Sequence, residues 1–199
     1  MTNASGRRDA AISGHTGDEK TARTLLHDAA AATRATALAA LARMGRLTPN
    51  DLSAGLGDHD PIVRRRACEL AATADAQDVG GLLVARLADS DDAVVEMAAW
   101  ALGERGDGSD VVVMALSAVA GDHRDALCRE AAVAALGAIG APGGLPAILA
   151  ATTDKPAVRR RAVIALAPFD GPEVDAALQR ALEDRDWQVR QAAEDLLSP

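Results

Sequence analysis

The sequence predicts an all-α fold: a right-handed α-solenoid (an α-α superhelix) of about six helical hairpins of about 31 residues each. Three observations predict it. A frame of Leu, Asp-x-Asp, Val-Arg, Ala and Leu recurs along the chain, apolar residues inside each copy fall at three- and four-residue spacing, and no stretch alternates as a half-buried strand would.

The recurrence is clearest in Leu56–Ala67, Leu87–Gly103 and Leu182–Leu197. Weaker copies run through Asp122–Leu136 and Thr153–Leu166, and the weakest is Leu26–Leu41. Aligning them puts Thr33, Val63, Val94, Cys128, Val158 and Val189 at one anchor position, with steps of 30, 31, 34, 30 and 31 residues. Each copy reads as two helices joined by the Asp-x-Asp turn. Asp60, Asp91 and Asp186 are placed to accept from the free N–H groups of the second helix, and Pro61 fits its first position. Gly106, Gly140 and Gly171 suit helix exits, and Pro49, Pro142 and Pro172 the next helix starts. Val111-Val112-Val113 is β-branched but too isolated to carry a sheet. A two-helix unit this short cannot bury its apolar face alone; stacked neighbours bury it. The repeats are assigned to residues 21–199. Residues 1–20, MTNASGRRDAAISGHTGDEK, are polar and read as a disordered tail without a secretory signal.

Apolar residues make up 49% of the 199 and aromatics only 2%, so the core must be built from Ala, Leu and Val between closely approaching helices. No apolar run approaches the roughly 18 residues of a membrane span. A cytoplasmic protein with reduced cysteines is expected, and the Arg and Ala usage suggests a bacterial source. The net charge of −8 argues against duplex binding, which favours a basic face.

The pattern Asp-x-Asp-x-x-Val-Arg-x-x-Ala, as in Asp58–Ala67 and Asp184–Ala193, resembles HEAT repeats, in the short variety of the phycobilisome (bilin) lyase HEAT-like family. The resemblance covers roughly residues 21–199. It implies a curved stack with the second helices on the concave side. It also implies an arginine ladder (Arg34, Arg64, Arg129, Arg159, Arg190) pairing with turn aspartates of the same or a neighbouring repeat. Val95 stands in place of the third Arg, and His123 and Thr153 in place of the first Asp in the fourth and fifth repeats, so an interruption mid-stack is expected.

Six residues are singled out as a partner-binding concave groove: Arg65, Glu69, Glu96, Trp100, Glu130 and Arg160. Trp100 shares its column with Ala39, Glu69, Ala134, Ile164 and Asp195; a column that accepts Glu and Asp is not core. One turn earlier lies a charged column containing Arg65, Glu96, Glu130 and Arg160. Trp and Arg are enriched among interface hot spots.

The leading function is a scaffold or adaptor holding a protein partner in that groove. One alternative, permitted by the lyase resemblance, is an enzyme or enzyme subunit acting on a small molecule there. Another is nucleic-acid binding through the Arg-bearing inner helices. The trios Arg64–Arg66 and Arg159–Arg161 invite that last reading, but successive helical residues point about 100° apart and form no single patch.

No catalytic residues, cofactor or metal are expected. His15, His27, His59 and His123 are not at ligand spacing, Cys68 and Cys128 read as small buried hydrophobes, and no phosphate loop or nucleophile elbow occurs.

Overall fold

The computed structural model describes residues 3–74 and 79–198. Thirteen α-helices and one 3-10 turn occupy the described residues, which contain no strand. The chain divides into two compact units, Met1–Arg86 and Leu87–Pro199. The boundary falls between the two helices of the third sequence repeat.

Unit 1 holds α1 (Asn3–Thr16), α2 (Glu19–Leu25), α3 (Ala31–Arg43), α4 (Pro49–Leu56), α5 (Pro61–Ala71) and α6 (Val79–Arg86). Helices α2–α3 and α4–α5 are the first two hairpins, and α3 packs on α5. Unit 2 opens on α7 (Asp92–Arg105) and continues with α8 (Asp110–Asp122), α9 (Ala126–Ile139), the 3-10 turn Pro142–Gly144, α10 (Leu145–Ala151), α11 (Pro156–Ala165), α12 (Pro172–Leu182) and α13 (Trp187–Leu197). Its second helices pack in chain order, α7 on α9, α9 on α11 and α11 on α13. Both units are built from the same hairpin, and the fold class is the all-α repeat solenoid.

The six anchor residues are all buried. One turn on, Ala37, Ala67, Ala98, Ala132, Ala162 and Ala193 are almost wholly shielded from solvent. Contacts between second helices are made by smaller residues still. A Cβ on Gly103 would lie 2.9 Å from the Ala135 Cα, and one on Gly137 would lie 2.7 Å from the Ala165 Cα. Relative to the anchors these two contacts are the same, so α7, α9 and α11 stack in one register.

The turns follow one plan. Asp58, Asp89 and Asp184 accept from the backbone N–H two residues on, at 2.9, 3.1 and 2.8 Å. The second aspartate then caps the helix, as Asp60 does by accepting from the Ile62 N–H at 2.9 Å. Gly106 and Gly140 end α7 and α9 in the left-handed region, at φ 63° and 66°, where L side chains are strained. Gly171 does not end a helix; it precedes Pro172 at the start of α12.

The stretch expected to be a disordered tail is helical. Residues Asn3–Thr16 form α1, and Met1 and Thr2 lie outside the described residues. Helix α1 packs on α3 through Gly6, Ala10, Ser13 and Gly14, all buried. A Cβ on Gly14 would sit 2.9 Å from the Ala40 Cα, which reproduces the Gly103–Ala135 contact. Helix α1 is therefore a lone second helix covering the first repeat, and its stabilisation comes from close backbone approach rather than from large side chains.

Candidate functional site

The arginine ladder is a set of bidentate pairs between consecutive repeats. In unit 1, Arg34 donates from Nε and Nη2 to Asp58 at 2.9 and 2.7 Å, while its Nη1 donates to the Asp28 carbonyl at 3.0 Å. In unit 2, Arg129 bonds Asp154 at 2.6 and 2.7 Å, and Arg159 bonds Asp184 at 2.9 and 2.7 Å. Each guanidinium thus ties its own turn to the turn of the next repeat, satisfying buried charge with charge-assisted bonds.

The interruption expected mid-stack is present, and it is confined to one junction. Thr153 does not remove a rung, because Asp154, one residue later, takes the place of the missing aspartate. The gap at Val95 is matched by His123: the repeat lacking the donor is followed by the repeat lacking the acceptor. Val95 is buried as an apolar residue. His123 Nδ1 still accepts from the Asp125 N–H at 3.1 Å, which keeps the turn. The junction is instead bridged in reverse, by Arg124 donating to Asp92 at 3.0 Å.

The hydrogen bonds from Arg129 and Arg159 hold Asp154 and Asp184 below the usual carboxylate range, against the opposing effect of burial. Burial pushes Asp58 up, but bonds from Arg34 and from the Asp60 N–H outweigh it and leave it lowered too. A carboxylate depressed in the folded state contributes stability that is fully present above its unfolded value, about 3.9, and is lost as pH falls through its folded value. Melting temperature is accordingly expected to hold at neutral pH and to drop below about pH 5. The drop should be shallower in Asp184→Asn. A flat profile down to pH 3 would contradict the ladder's contribution.

Of the six residues expected to form a groove, four lie in unit 2 on adjacent helices: Glu96 and Trp100 on α7, Glu130 on α9 and Arg160 on α11. Arg65 and Glu69 lie on α5 in unit 1, both exposed, with Glu69 accepting from Arg66 at 2.7 Å.

In unit 2 the common register of the second helices sets three parallel rows. These are Glu96-Trp100-Glu104 on α7, Glu130-Ala134-Ala138 on α9, and Arg160-Ile164 on α11. Trp100 and Ile164 are each 42% exposed. The α9 row between them is low, because Ala134 and Ala138 are small. Glu130 is mostly covered and accepts from Arg161 Nη2 at 3.4 Å, a contact that sequence reasoning missed. The signal was there: Arg161 follows the ladder Arg by two positions, facing the charged column of the preceding repeat.

Other polar features are accounted for locally. A cleft of about 470 Å³ in unit 1 is lined by Asp28, Arg34, Asp51, Asp58 and His59, with Leu38 and Val63; Arg34 and Asp58 belong to the ladder, and Asp51 caps α4 and pairs with Arg23. Cys68 and Cys128 are both buried. Burial, helped by the carboxylates of Asp125, Asp92 and Glu96, pushes the Cys128 thiol up to about 11, far from a reactive thiolate. Among the described residues no group of three or more His, Cys, Asp or Glu is placed to hold a metal ion, and no helix is long and apolar enough to cross a membrane.

Comparison with solved structures finds the same architecture elsewhere. YibA of Escherichia coli is 19% identical, with 92% of this chain and 74% of that one covered at a TM-score of 0.66. An engineered protein is 21% identical over 90% of this chain and 97% of its own, at 0.67. Human deoxyhypusine hydroxylase in complex with glycerol is 22% identical over 96% and 77%, at 0.53. At these identities the likeness is one of fold alone. A search of curated proteins finds no significant match. The family model for HEAT repeats matches residues 49–137 and 113–198, well over half of the chain. With the repeated hairpin, the capped Asp-x-Asp turn and the arginine rungs, that match makes the chain a member of the HEAT-repeat family.

Proposed function

We propose that this chain is a protein-binding scaffold that holds a partner on the exposed face of its second helices in unit 2. The observation that carries the reading is the pair Trp100 and Ile164. Two large apolar side chains stand exposed in equivalent rows of α7 and α11, on a face where the same column elsewhere bears Glu69 and Asp195. Exposed apolar groups flanked by charged residues on one face are what a partner buries. A lyase-like role through Glu96 and Glu130 has less behind it, since Glu130 is engaged by Arg161. Nucleic-acid binding through the arginine trios is likewise weakened, because Arg64 and Arg159 donate to backbone carbonyls of their own turns. Two buried thiols fit a reducing cytoplasm.

The test is affinity capture of partners from extract by wild type and by Trp100→Ala/Glu96→Arg. The expected result is at least a tenfold loss of the captured partner. Helicity should be unchanged and stability altered by no more than about 1 kcal/mol, because Trp100 is well exposed. Equal capture by both forms would remove the face from the interface.

A further inference from the structure

We infer that the unit 2 face takes a single amphipathic α-helix of its partner, oriented by opposite charges on the two walls. This inference rests on the scaffold reading above and adds the kind of segment bound and what fixes its direction. The α7 wall carries Glu96 and Glu104, both exposed. The α11 wall carries Arg160, whose Nε is buried without a hydrogen-bond partner. Arg161 beside it is engaged by Glu130, so the middle of the face is close to neutral. One wall is therefore acidic, the other basic, and the floor between them is alanine.

The dimensions and chemistry of the floor select a helix. Neighbouring helix axes lie about 8–10 Å apart, so α7 and α11 are about 16–20 Å apart across α9, a span that admits one helix about 10 Å in diameter. An extended segment would need partners for its own N–H and C=O groups. The α9 row offers it Ala134 and Ala138, and a Glu130 already engaged. A helix satisfies its backbone internally and needs only an apolar stripe for Trp100, Ile164 and the alanines to cover. Its basic edge lies over α7 and its acidic edge over α11. A helix with its edges exchanged binds in the opposite direction, so the walls fix orientation, and a helix with two like-charged edges meets repulsion on one side.

The experiment uses three synthetic peptides of about 18 residues, long enough to match α9. All are free of Trp and Tyr and share one Leu/Ala stripe. The first has Lys on one edge and Glu on the other, the second Lys on both, the third Glu on both. Binding is read from Trp100 fluorescence in full-length Trp187→Phe protein. The first peptide is expected to bind roughly 5- to 10-fold more tightly than either other, a ratio that shrinks as salt rises. Arg160→Glu should shift the preference to the all-Lys peptide, and Glu96→Lys/Glu104→Lys to the all-Glu peptide. Equal affinities, or an order unmoved by charge reversal, would overturn the inference. So would a fluorescence signal that no peptide changes. The scaffold reading would survive any of these if Trp100→Ala/Glu96→Arg still lost its captured partner.

Discussion

Replacing Arg159 by alanine is expected to destabilise the protein by about 3 kcal/mol, among the largest effects of any single change outside the apolar core. The Arg159 side chain is almost fully covered and that of Asp184 largely so. Truncation removes two bonds to the Asp184 carboxylate and one to the Asp154 carbonyl at 2.9 Å. It also leaves a covered carboxylate with no counter-charge, and most of the cost arises there. The pair therefore has a diagnostic rescue. Arg159→Met/Asp184→Asn removes both charges, while the Asn side-chain oxygen can still accept from the Asp186 N–H that Asp184 holds at 2.8 Å. The double variant should be less destabilised than Arg159→Ala, and by less than the sum of its two single changes. Denaturant unfolding of wild type, Arg159→Ala, Arg159→Met, Asp184→Asn and the double variant measures this directly. Additive losses would mean that the two residues do not act as a rung.

The ladder also illustrates what the sequence could convey. The position of each ladder Arg and of the in-frame Asp residues was legible because the frame repeats, and so were the anchor residues and the capping aspartates. The direction of pairing was not, since Arg34 is close in sequence to its own turn and reaches the next one only when the hairpins stack. Asp154 escaped notice because it sits one residue out of frame, and a guanidinium on a flexible stem tolerates that offset. Helix α1 escaped because periodicity is sought in large apolar residues. Its packing face is Gly6, Ala10, Ser13 and Gly14, a pattern that carries almost no hydrophobicity but permits backbone contact. In the candidate face, Glu96, Trp100, Glu130 and Arg160 could be placed on one set of helices from columns alone. The neutralisation of Glu130 by Arg161 depends on side-chain reach between repeats, which columns do not encode.

Gly137→Ala is expected to destabilise by about 2 kcal/mol, although the same change in an exposed helix stabilises by up to about 1 kcal/mol. The added Cβ would lie 2.6 Å from the Ala165 Cβ and 3.1 Å from the Ala165 carbonyl oxygen. Backbone atoms cannot swing aside as a side chain does, so α9 and α11 must separate. Gly121→Ala in α8 is the matched control: nothing lies within 4 Å of its Cβ, and the propensity gain should appear undiminished. Opposite signs for two chemically identical substitutions, read as melting temperatures, would establish that the glycine is kept for helix approach. A neutral or stabilising Gly137→Ala would show that α9 and α11 have room to spare. The consequence extends to the binding face, because the spacing of α7, α9 and α11 sets the distance from Trp100 to Ile164. A variant that opens the α9–α11 contact should widen the alanine floor and weaken capture of a helical partner even at temperatures where the protein remains folded.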